Sequence, residues 1–483
     1  MIWVFKIVDR DLSQERHGMF NVALILPLPA SRTRLESAGN GNKKCPLRAI
    51  TRILALKIYE EWDREARQRQ RVILICTLRF TFERHFFYIG DNRNLNNAGL
   101  VPVSHTEYTR RLLDKYETFQ VSSFSKRHFP PDVFYPVVQR LTANSGKLLE
   151  MRKAGESFEG RPIYLVTAGT GPTKVFLWSQ MHGDESTATM AICDILKYII
   201  TTKNEESSAK ILSSLTLYFL PMLNPDGAQR TQRRTAQGID MNRDALALST
   251  PEANLLKNLQ HELKPQFGFN LHDQELSTVT TSKELTALAL LAPAFDAAKS
   301  ENEVRRRARH LAAHLAGTLK SIIPNNLARY DDTFEPRAFG DNMQKWGTST
   351  VLIESGHAMN DPEKEFIRKL NVVGLLLSFY ALATGEYANS TISDYEGLPS
   401  NGKKVYDVII RNVKIDHGNK KITPADLGIS YQVDTHSTNT PTLADVGDLQ
   451  TYIGLRDIDG KGFALPAATV TPGKEFDWTK FFH

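Results

Sequence analysis

The sequence predicts an α/β protein whose reactive side chains lie at the ends of buried strands. Short apolar runs with strand character alternate along the chain with longer segments of helical periodicity, which is typical of a layered α/β domain. Three of the apolar runs are followed directly by a loop carrying His182, His272 or Glu354. Because α/β sheets present functional groups at the carboxyl ends of their strands, we expect these three side chains to converge.

The first of these loops reads His182-Gly183-Asp184-Glu185. An imidazole and a carboxylate at this H-x-x-E spacing can bind one metal ion. Zinc accepts such a mixture of ligands, and a catalytic site adds a third ligand and keeps a position for water. The motif alone also fits an exposed polar loop, because short patterns occur often by chance. The two further strand ends, with His272 and Glu354, favour the metal site.

Composition indicates a globular protein without a disulfide framework. The chain has 483 residues, of which 41% are hydrophobic and 24% charged, so two or three domains are expected. We find no continuous apolar stretch of about twenty residues and no convincing secretory signal around residues 20–28, which predicts no membrane span. The three cysteines, Cys45, Cys76 and Cys193, are too few and too scattered for disulfide or zinc clusters. A cytoplasmic location fits this cysteine usage best.

Three regions are expected along the chain. Residues 1–104 carry Arg-rich pieces and an excess of roughly seven positive charges, which accounts for the net charge of +6 of the whole chain. This composition predicts a basic extension of uncertain order. Because this extension has no recognisable nucleic-acid reader motif, no nucleic-acid partner is expected. Residues 105–387 hold the alternating strands and helices. Residues 388–483 are rich in short β-like pieces and predict a small β-rich domain.

The order of elements within 105–387 follows from apolar periodicity and turn signals. From His105 to Gly155 the pattern predicts helices. The glycines in Gly169-Thr170-Gly171-Pro172 predict a hairpin turn between two strands, since neither the Walker spacing nor a following helix is present for a phosphate loop. Further strands are expected at 215–222, 267–271, 285–292 and 348–353, with helices at 188–200, 251–263, 296–323 and 362–384.

Several separate signals together resemble the zinc carboxypeptidase family, peptidase family M14. They are His182-x-x-Glu185, Asn224-Pro225-Asp226-Gly227, Asp240-x-Asn242-Arg243, His272 and Glu354. They occur in the family's order and cover about 107–385, so a chance match is improbable. The resemblance implies a carboxypeptidase-like α/β/α fold with a mixed, roughly eight-stranded sheet, followed here by the small β-rich C-terminal domain.

The resemblance also implies residue roles at a metal centre. His182, Glu185 and His272 would hold one zinc ion, which agrees with the chemistry of two imidazoles and one carboxylate. Asp240 would orient the His182 ring. Glu354 would act as the general base that activates water and passes its proton to the leaving amine.

Further roles concern the substrate. Arg234 matches the arginine that steadies the oxyanion, with Arg233 as the competing choice because the loop length leaves a one-residue ambiguity. Asn242 and Arg243 match the pair that grips the terminal carboxylate of the substrate. Tyr330 falls near the position of the tyrosine that covers the substrate, in a loose alignment.

The sequence departs from the digestive members of the family at several positions. Asp184 stands where they carry an arginine, Asp244-Ala245-Leu246 replaces the common Asn-Phe-Pro, and Asp273 follows the third ligand where they have serine. The expected function is a zinc metallocarboxypeptidase whose substrate is a peptide or amino-acid conjugate with a free carboxylate. The alternatives are an amidase of the same fold, acting on γ-D-glutamyl cell-wall peptides or N-acyl amino acids, and a non-catalytic binding protein.

Overall fold

The computed structural model describes residues 105–483 except 125, 403–404, 419–421, 434–438 and 482–483. It also describes two short paired strands, Val4–Phe5 and Val22–Ala23. The chain divides into two compact units, Met1–Ala98 and Gly99–His483, and the second unit holds all the candidate site residues. The predicted basic extension lies outside the described residues, apart from those two strands.

An eight-stranded mixed sheet forms the centre of the second unit. The strands before residue 360 are β1 (Leu149–Glu156), β2 (Pro162–Ala168), β3 (Thr173–Ser179), β4 (Leu215–Leu220), β5 (Phe267–Asp273), β6 (Thr278–Val279), β7 (Leu288–Leu291), β8 (Leu327–Arg329) and β9 (Ser349–Ser355). Their order in the sheet is β8-β7-β9-β5-β3-β4-β2-β1, and β6 lies outside it. The central strands β9, β5, β3 and β4 are parallel, whereas β7, β2 and β1 each run antiparallel to a neighbour. The predicted mixed, eight-stranded sheet is thereby confirmed.

Helices cover both faces of the sheet. They are α1 (His105–Phe119), α2 (Pro131–Ala143), α3 (Thr187–Thr201), α4 (Glu206–Ser214), α5 (Pro225–Arg230), α6 (Pro251–Leu263), α7 (Glu303–Lys320), α8 (Phe339–Lys345), α9 (Glu365–Thr384) and α10 (Ile392–Glu396). Alternate residues of β3 enter different cores, because successive side chains of a strand point to opposite faces. Val175 and Leu177 pack with α1, α3, α7 and α9, while Phe176 and Trp178 pack with α6 and α8. This is the expected α/β/α layering.

Helix α9 is the longest of the described helices, and most of its residues are buried. By length and composition alone it is apolar enough to cross a membrane, and 83% of its most apolar window is buried inside the unit. It is not an uninterrupted apolar run, since it contains Arg368 and Asn371. Packing in the main core accounts for its apolar composition, which makes the helix weak evidence for a membrane span.

Two local expectations from the sequence are wrong. Residues 149–156, expected to be helical, form the edge strand β1, whose charged Glu150, Arg152 and Lys153 are largely exposed. The predicted hairpin between β2 and β3 is absent, because β4 lies between these strands in the sheet. The connection crosses the start of β4 so closely that a Cβ on Gly171 would lie 1.9 Å from the Ser214 carbonyl carbon.

The C-terminal region forms a separate five-stranded sheet, as the predicted β-rich character requires. Its strands are β11 (Val405–Asp416), β12 (Thr423–Val433), β13 (Asn439–Gly447), β14 (Ile453–Asp459) and β15 (Ala464–Pro466). Side chains such as Ile410, Leu427 and Trp478 give this sheet its own apolar core. Tyr395 and Leu398, which lie just beyond the predicted boundary at 387, are instead buried in the main core.

A short linker segment, residues 399–402, joins the two regions. It contains strand β10 (Asn401–Gly402), which pairs with β6. The carbonyl of Pro399 accepts a hydrogen bond from the Arg329 amide at 2.7 Å, and the carbonyl of Ser400 accepts one from the Thr280 amide at 3.1 Å. The linker segment therefore pairs with both the end of β8 and the loop that follows His272.

Candidate metal centre

The loop between β3 and α3 carries His182 and Glu185 and is pressed against the turn at 224–227. A Cβ on Gly183 would lie 2.0 Å from the carbonyl carbon of Gly227, so only glycine allows this approach. The Asn224 side chain fastens the contact: its Nδ2 donates to the Met181 carbonyl at 3.1 Å, and its Oδ1 accepts from the Gly227 amide at 2.9 Å. The Asn-Pro-Asp-Gly turn thus fixes the path of the loop that carries His182 and Glu185.

His182, Glu185 and His272 form a buried group that can hold a metal ion. Their candidate ligand atoms all lie within 4.8 Å of one another. Glu185 stands between the two imidazoles, with Oε1 2.6 Å from His182 Nδ1 and Oε2 2.8 Å from His272 Nδ1. Two ring nitrogens directed at one carboxylate are a donor set that suits a tetrahedral divalent metal with one further position.

Asp240 fixes the orientation of the His182 ring. Its Oδ1 lies 3.0 Å from His182 Nε2, which leaves Nδ1 facing the metal group. The same oxygen accepts the Asn242 amide at 2.9 Å and so caps the short turn Met241–Arg243. A carboxylate on the outer nitrogen of a ligand histidine holds the ring and makes it a stronger ligand. The arrangement matches the role that the resemblance implies for Asp240.

The charges in this group depend on one another. Burial disfavours protonation of His182, but the charge of Glu185 and the hydrogen bond to Asp240 outweigh burial and raise its pKa to about 9. Burial would raise the pKa of Glu185, yet the neighbouring His182 and His272 hold it well below its usual range. Because His182 must lose its Nδ1 proton before that nitrogen can bind a metal, metal affinity should increase with pH.

Glu354 lies beside the metal group at the end of β9. Strands β9 and β5 are parallel neighbours, and Glu354 is in register with His272. Burial, followed by the charge of Glu185, raises the pKa of Glu354 to about 8. The charge of the Glu354 carboxylate, followed by burial, raises the pKa of Tyr330 to about 12. The structure therefore brings Glu354 and Tyr330 to the metal group.

Only one of the two candidate oxyanion arginines contacts this group. Arg233 places a terminal nitrogen 3.0 Å from Glu185 Oε1, and its Nε donates to Asp240 Oδ2 at 3.2 Å. Arg234 is exposed and donates instead to the backbone carbonyl of Gly238 at 3.1 Å. The geometry favours Arg233, whereas the resemblance had favoured Arg234, because sequence spacing does not fix how the loop bends.

The predicted carboxylate anchor lies on the turn that Asp240 caps. Arg243 is half-exposed, and its Nε lies 3.4 Å from a Glu335 oxygen. The Asn242 Oδ1 accepts the amide of Phe339 at 2.9 Å and so holds the start of α8 against this turn. The Glu335 carboxylate is itself bound by Arg337 through both guanidinium and backbone nitrogens. Sequence reasoning did not identify Glu335, since a contact across 92 residues leaves no local signal.

Comparison with known proteins agrees with the site. Residues 135–284 match the family model described as zinc carboxypeptidase, and this stretch contains His182, Glu185, Asp240 and His272. Over this stretch the chain is similar to the zinc carboxypeptidase family. Glu354 lies beyond the matched stretch, and its position beside His272 follows from the register of β9 with β5.

Relatives align with this chain over limited lengths. Carboxypeptidase 2 of Trichophyton rubrum is 28% identical over 145 residues, covering 28% of this chain and 27% of that protein. Carboxypeptidase A4 of Mus musculus is 31% identical over 111 residues, covering 22% of this chain and 26% of that protein. The chain thus matches about a quarter of the length of these relatives. A solved metallo-carboxypeptidase from Burkholderia cenocepacia superposes with a TM-score of 0.44 at 16% identity, covering 53% of this chain and 70% of that one.

Proposed function

We propose that this protein is a zinc-dependent metallocarboxypeptidase that hydrolyses the C-terminal amide bond of a peptide or amino-acid conjugate. The observation that carries the proposal is the position of Glu354, in register with His272 and beside a buried group of two histidines and one glutamate. A general base next to a metal donor set is what amide hydrolysis by water needs. A metal site with a purely structural role would need no such base.

The donor set fits zinc, and His182, Glu185 and His272 are the residues that would hold it. Bound zinc supplies a Lewis acid and lowers the pKa of water at the site. In the proposed mechanism Glu354 takes the proton from the attacking water and passes it to the departing amine. Its pKa of about 8 in the metal-free site suits proton exchange near neutral pH, and a nearby cation lowers such a value.

Arg233 and Arg243 supply the positive charge that the reaction requires from the protein. Arg233 lies against Glu185 and Asp240, close enough to the metal group to stabilise the oxygen that becomes negative. Arg243, with Asn242 beside it, would bind the free carboxylate of the substrate and so select the last amide bond. Tyr330 would cover the bound substrate near Glu354.

The test is amino-acid release by the zinc-loaded full-length protein from peptides with free or amidated C-termini. We expect release from the free acids only, and we expect Glu354→Gln to lower kcat by about 10²–10⁴-fold without reducing zinc content. Glu262→Gln is the matched control, because Glu262 is exposed and, within the part of the chain that the structure describes, its carboxylate forms an ion pair only with the surface Arg152. Its kcat should equal that of the unmodified protein.

Two results would change the conclusion. Absence of release from every peptide, at one zinc per chain, would overturn the peptidase proposal and direct the assay to γ-D-glutamyl cell-wall peptides and N-acyl amino acids. If those are not cleaved either, the protein is a non-catalytic binder. Equal release from free and amidated peptides would instead remove Arg243 from the proposed carboxylate site.

A further inference from the structure

Asp273 is a departure from the digestive enzymes that the proposed function leaves unexplained. It directly follows the ligand His272, and its backbone amide donates to Glu185 Oε2 at 3.1 Å. Its carboxylate is nearly buried, with 8% of the side chain exposed. Oδ2 accepts the Thr187 hydroxyl at 2.5 Å, and among the described residues Oδ1 accepts no hydrogen bond. A buried carboxylate beside Glu185 therefore depends on a nearby cation.

Lys364 supplies that cation. Its side chain is 1% exposed, and its Nζ donates to Asp273 Oδ2 and to the carbonyl of Ser355, each at 3.2 Å. Lys364 immediately precedes α9 and has a φ of +55°, a left-handed conformation that lysine rarely adopts. Such a backbone conformation is retained only where the surrounding structure imposes it. Here it accompanies the contacts of the Lys364 ammonium with the ends of β5 and β9.

The pair connects every segment that carries a predicted zinc ligand or the predicted base. Asp273 follows His272 and contacts Thr187, which lies two residues beyond Glu185. The Ser355 carbonyl that Lys364 binds follows Glu354 directly. One ion pair thus ties the ends of β5 and β9 to the start of α3.

We propose that Asp273 and Lys364 form a positioning pair, which holds the zinc ligands and Glu354 in their relative places. The proposal rests on the proposed function for the role of Glu354, whereas the effect on the zinc ligands does not. Both charges are needed together, because removing one partner of a buried pair leaves an uncompensated charge, whereas removing both does not. In this protein the uncompensated charge would be a carboxylate beside Glu185.

The experiment compares Lys364→Met, Asp273→Ser and the double variant, in the full-length protein. We measure zinc affinity by competition with a chelating indicator, and kcat and KM on the peptide substrate. Lys364→Met should weaken zinc binding and lower kcat by about 10–100-fold each, as for other residues that hold metal ligands in place. KM should change less than about threefold, because Lys364 lies apart from the carboxylate anchor. The double variant should lose about as much kcat and zinc affinity as Lys364→Met alone, and not the sum of the two single losses, because either substitution already breaks the tie between the strand ends.

Arg368→Lys is the matched control, since Arg368 lies one helical turn further along and is paired in a fully buried bridge with Asp194. It should lower the unfolding temperature while leaving zinc affinity and kcat unchanged. Thr187→Val keeps the size of the side chain and removes the hydroxyl that donates to Asp273. It replaces Lys364→Met if that variant does not fold, and we expect it to lose less kcat and less zinc affinity.

Three results would refute the pairing. The first is an unchanged zinc affinity in Lys364→Met. The second is a loss of kcat and zinc affinity in the double variant that equals the sum of the losses in the two single variants. The third is a loss of kcat and zinc affinity in Arg368→Lys as large as that in Lys364→Met. If the unmodified protein hydrolyses nothing, the proposed function fails, but the zinc affinities still test the pair.

Discussion

Replacing Arg233 by alanine should lower kcat far more than it lowers stability. Its side chain is 44% exposed, so its ion pairs with Glu185 and Asp240 are screened and contribute about 0–1 kcal/mol to folding. Loss of one donor to a developing oxyanion costs about 2.7–4 kcal/mol of transition-state stabilisation, which is about 10²–10³-fold in kcat. The assay is kcat on a free-acid peptide, with zinc content and the unfolding temperature measured on the same samples.

Arg234→Ala is the neighbouring control, because Arg234 contacts only the Gly238 carbonyl among the described residues. We expect its kcat to stay within about threefold of the unmodified protein, as for a surface substitution that touches no functional group. Arg233→Lys should recover part of the loss, since lysine keeps the charge but not the forked geometry. If Arg234→Ala instead loses activity and Arg233→Ala does not, the loop takes a different path in the substrate-bound protein and our assignment is refuted.

Three further predictions follow from the structure. Asp240→Asn should weaken zinc binding by about 10–100-fold in chelator competition, and an unchanged affinity would show that Asp240 does not orient His182. Burial and a neighbouring arginine lower the pKa of His128 from 6.5 to about 4, so the unfolded chain binds this proton at a higher pH than the folded protein does. The free energy of unfolding should therefore fall as the pH drops from about 6.5 to about 4. His128→Gln should reduce this pH dependence in urea unfolding, and an unchanged pH dependence would contradict the prediction. Gly183→Ala should abolish zinc binding, because its Cβ would clash with the turn at Gly227. The control is Gly317→Ala on α7, where an added Cβ meets no atom of a neighbouring segment within 4 Å; it should be neutral or stabilising by up to about 1 kcal/mol in thermal unfolding. Zinc binding by Gly183→Ala would show that the loop can move away from the turn.

The sequence is most informative where a buried strand runs into a polar loop. The strand predicted at 267–271 is observed as β5, and the strand predicted at 348–353 is observed as β9, each within two residues. β9 is buried along its whole length and β5 is buried as far as His272, so apolar runs of this kind mark both strands clearly. Since parallel strands end on one side of the sheet, His272 and Glu354 could be expected to meet before any coordinates were known.

Other features depend on contacts that no local pattern encodes. The edge strand β1 carries charged residues at 150, 152, 153 and 156, and a largely exposed, charged pattern of this kind also suits a surface helix. The choice between Arg233 and Arg234 depends on the path of one loop. The pair of Asp273 and Lys364 joins positions 91 residues apart, and its partner lysine lies in a backbone conformation that sequence propensity disfavours.

The linker segment at 399–402 shows that the boundary predicted from composition, at residue 387, is not a point at which the chain can be divided without losing contacts. A fragment ending at 387 would lose Tyr395 and Leu398 from the main core and would leave β6 and the end of β8 without their partners. Unpaired strand edges of this kind recruit other chains. Recombining this α/β region with another C-terminal module would therefore require carrying the native chain through Gly402. A graft made at 387 would disturb the loop behind His272 as well as the join itself.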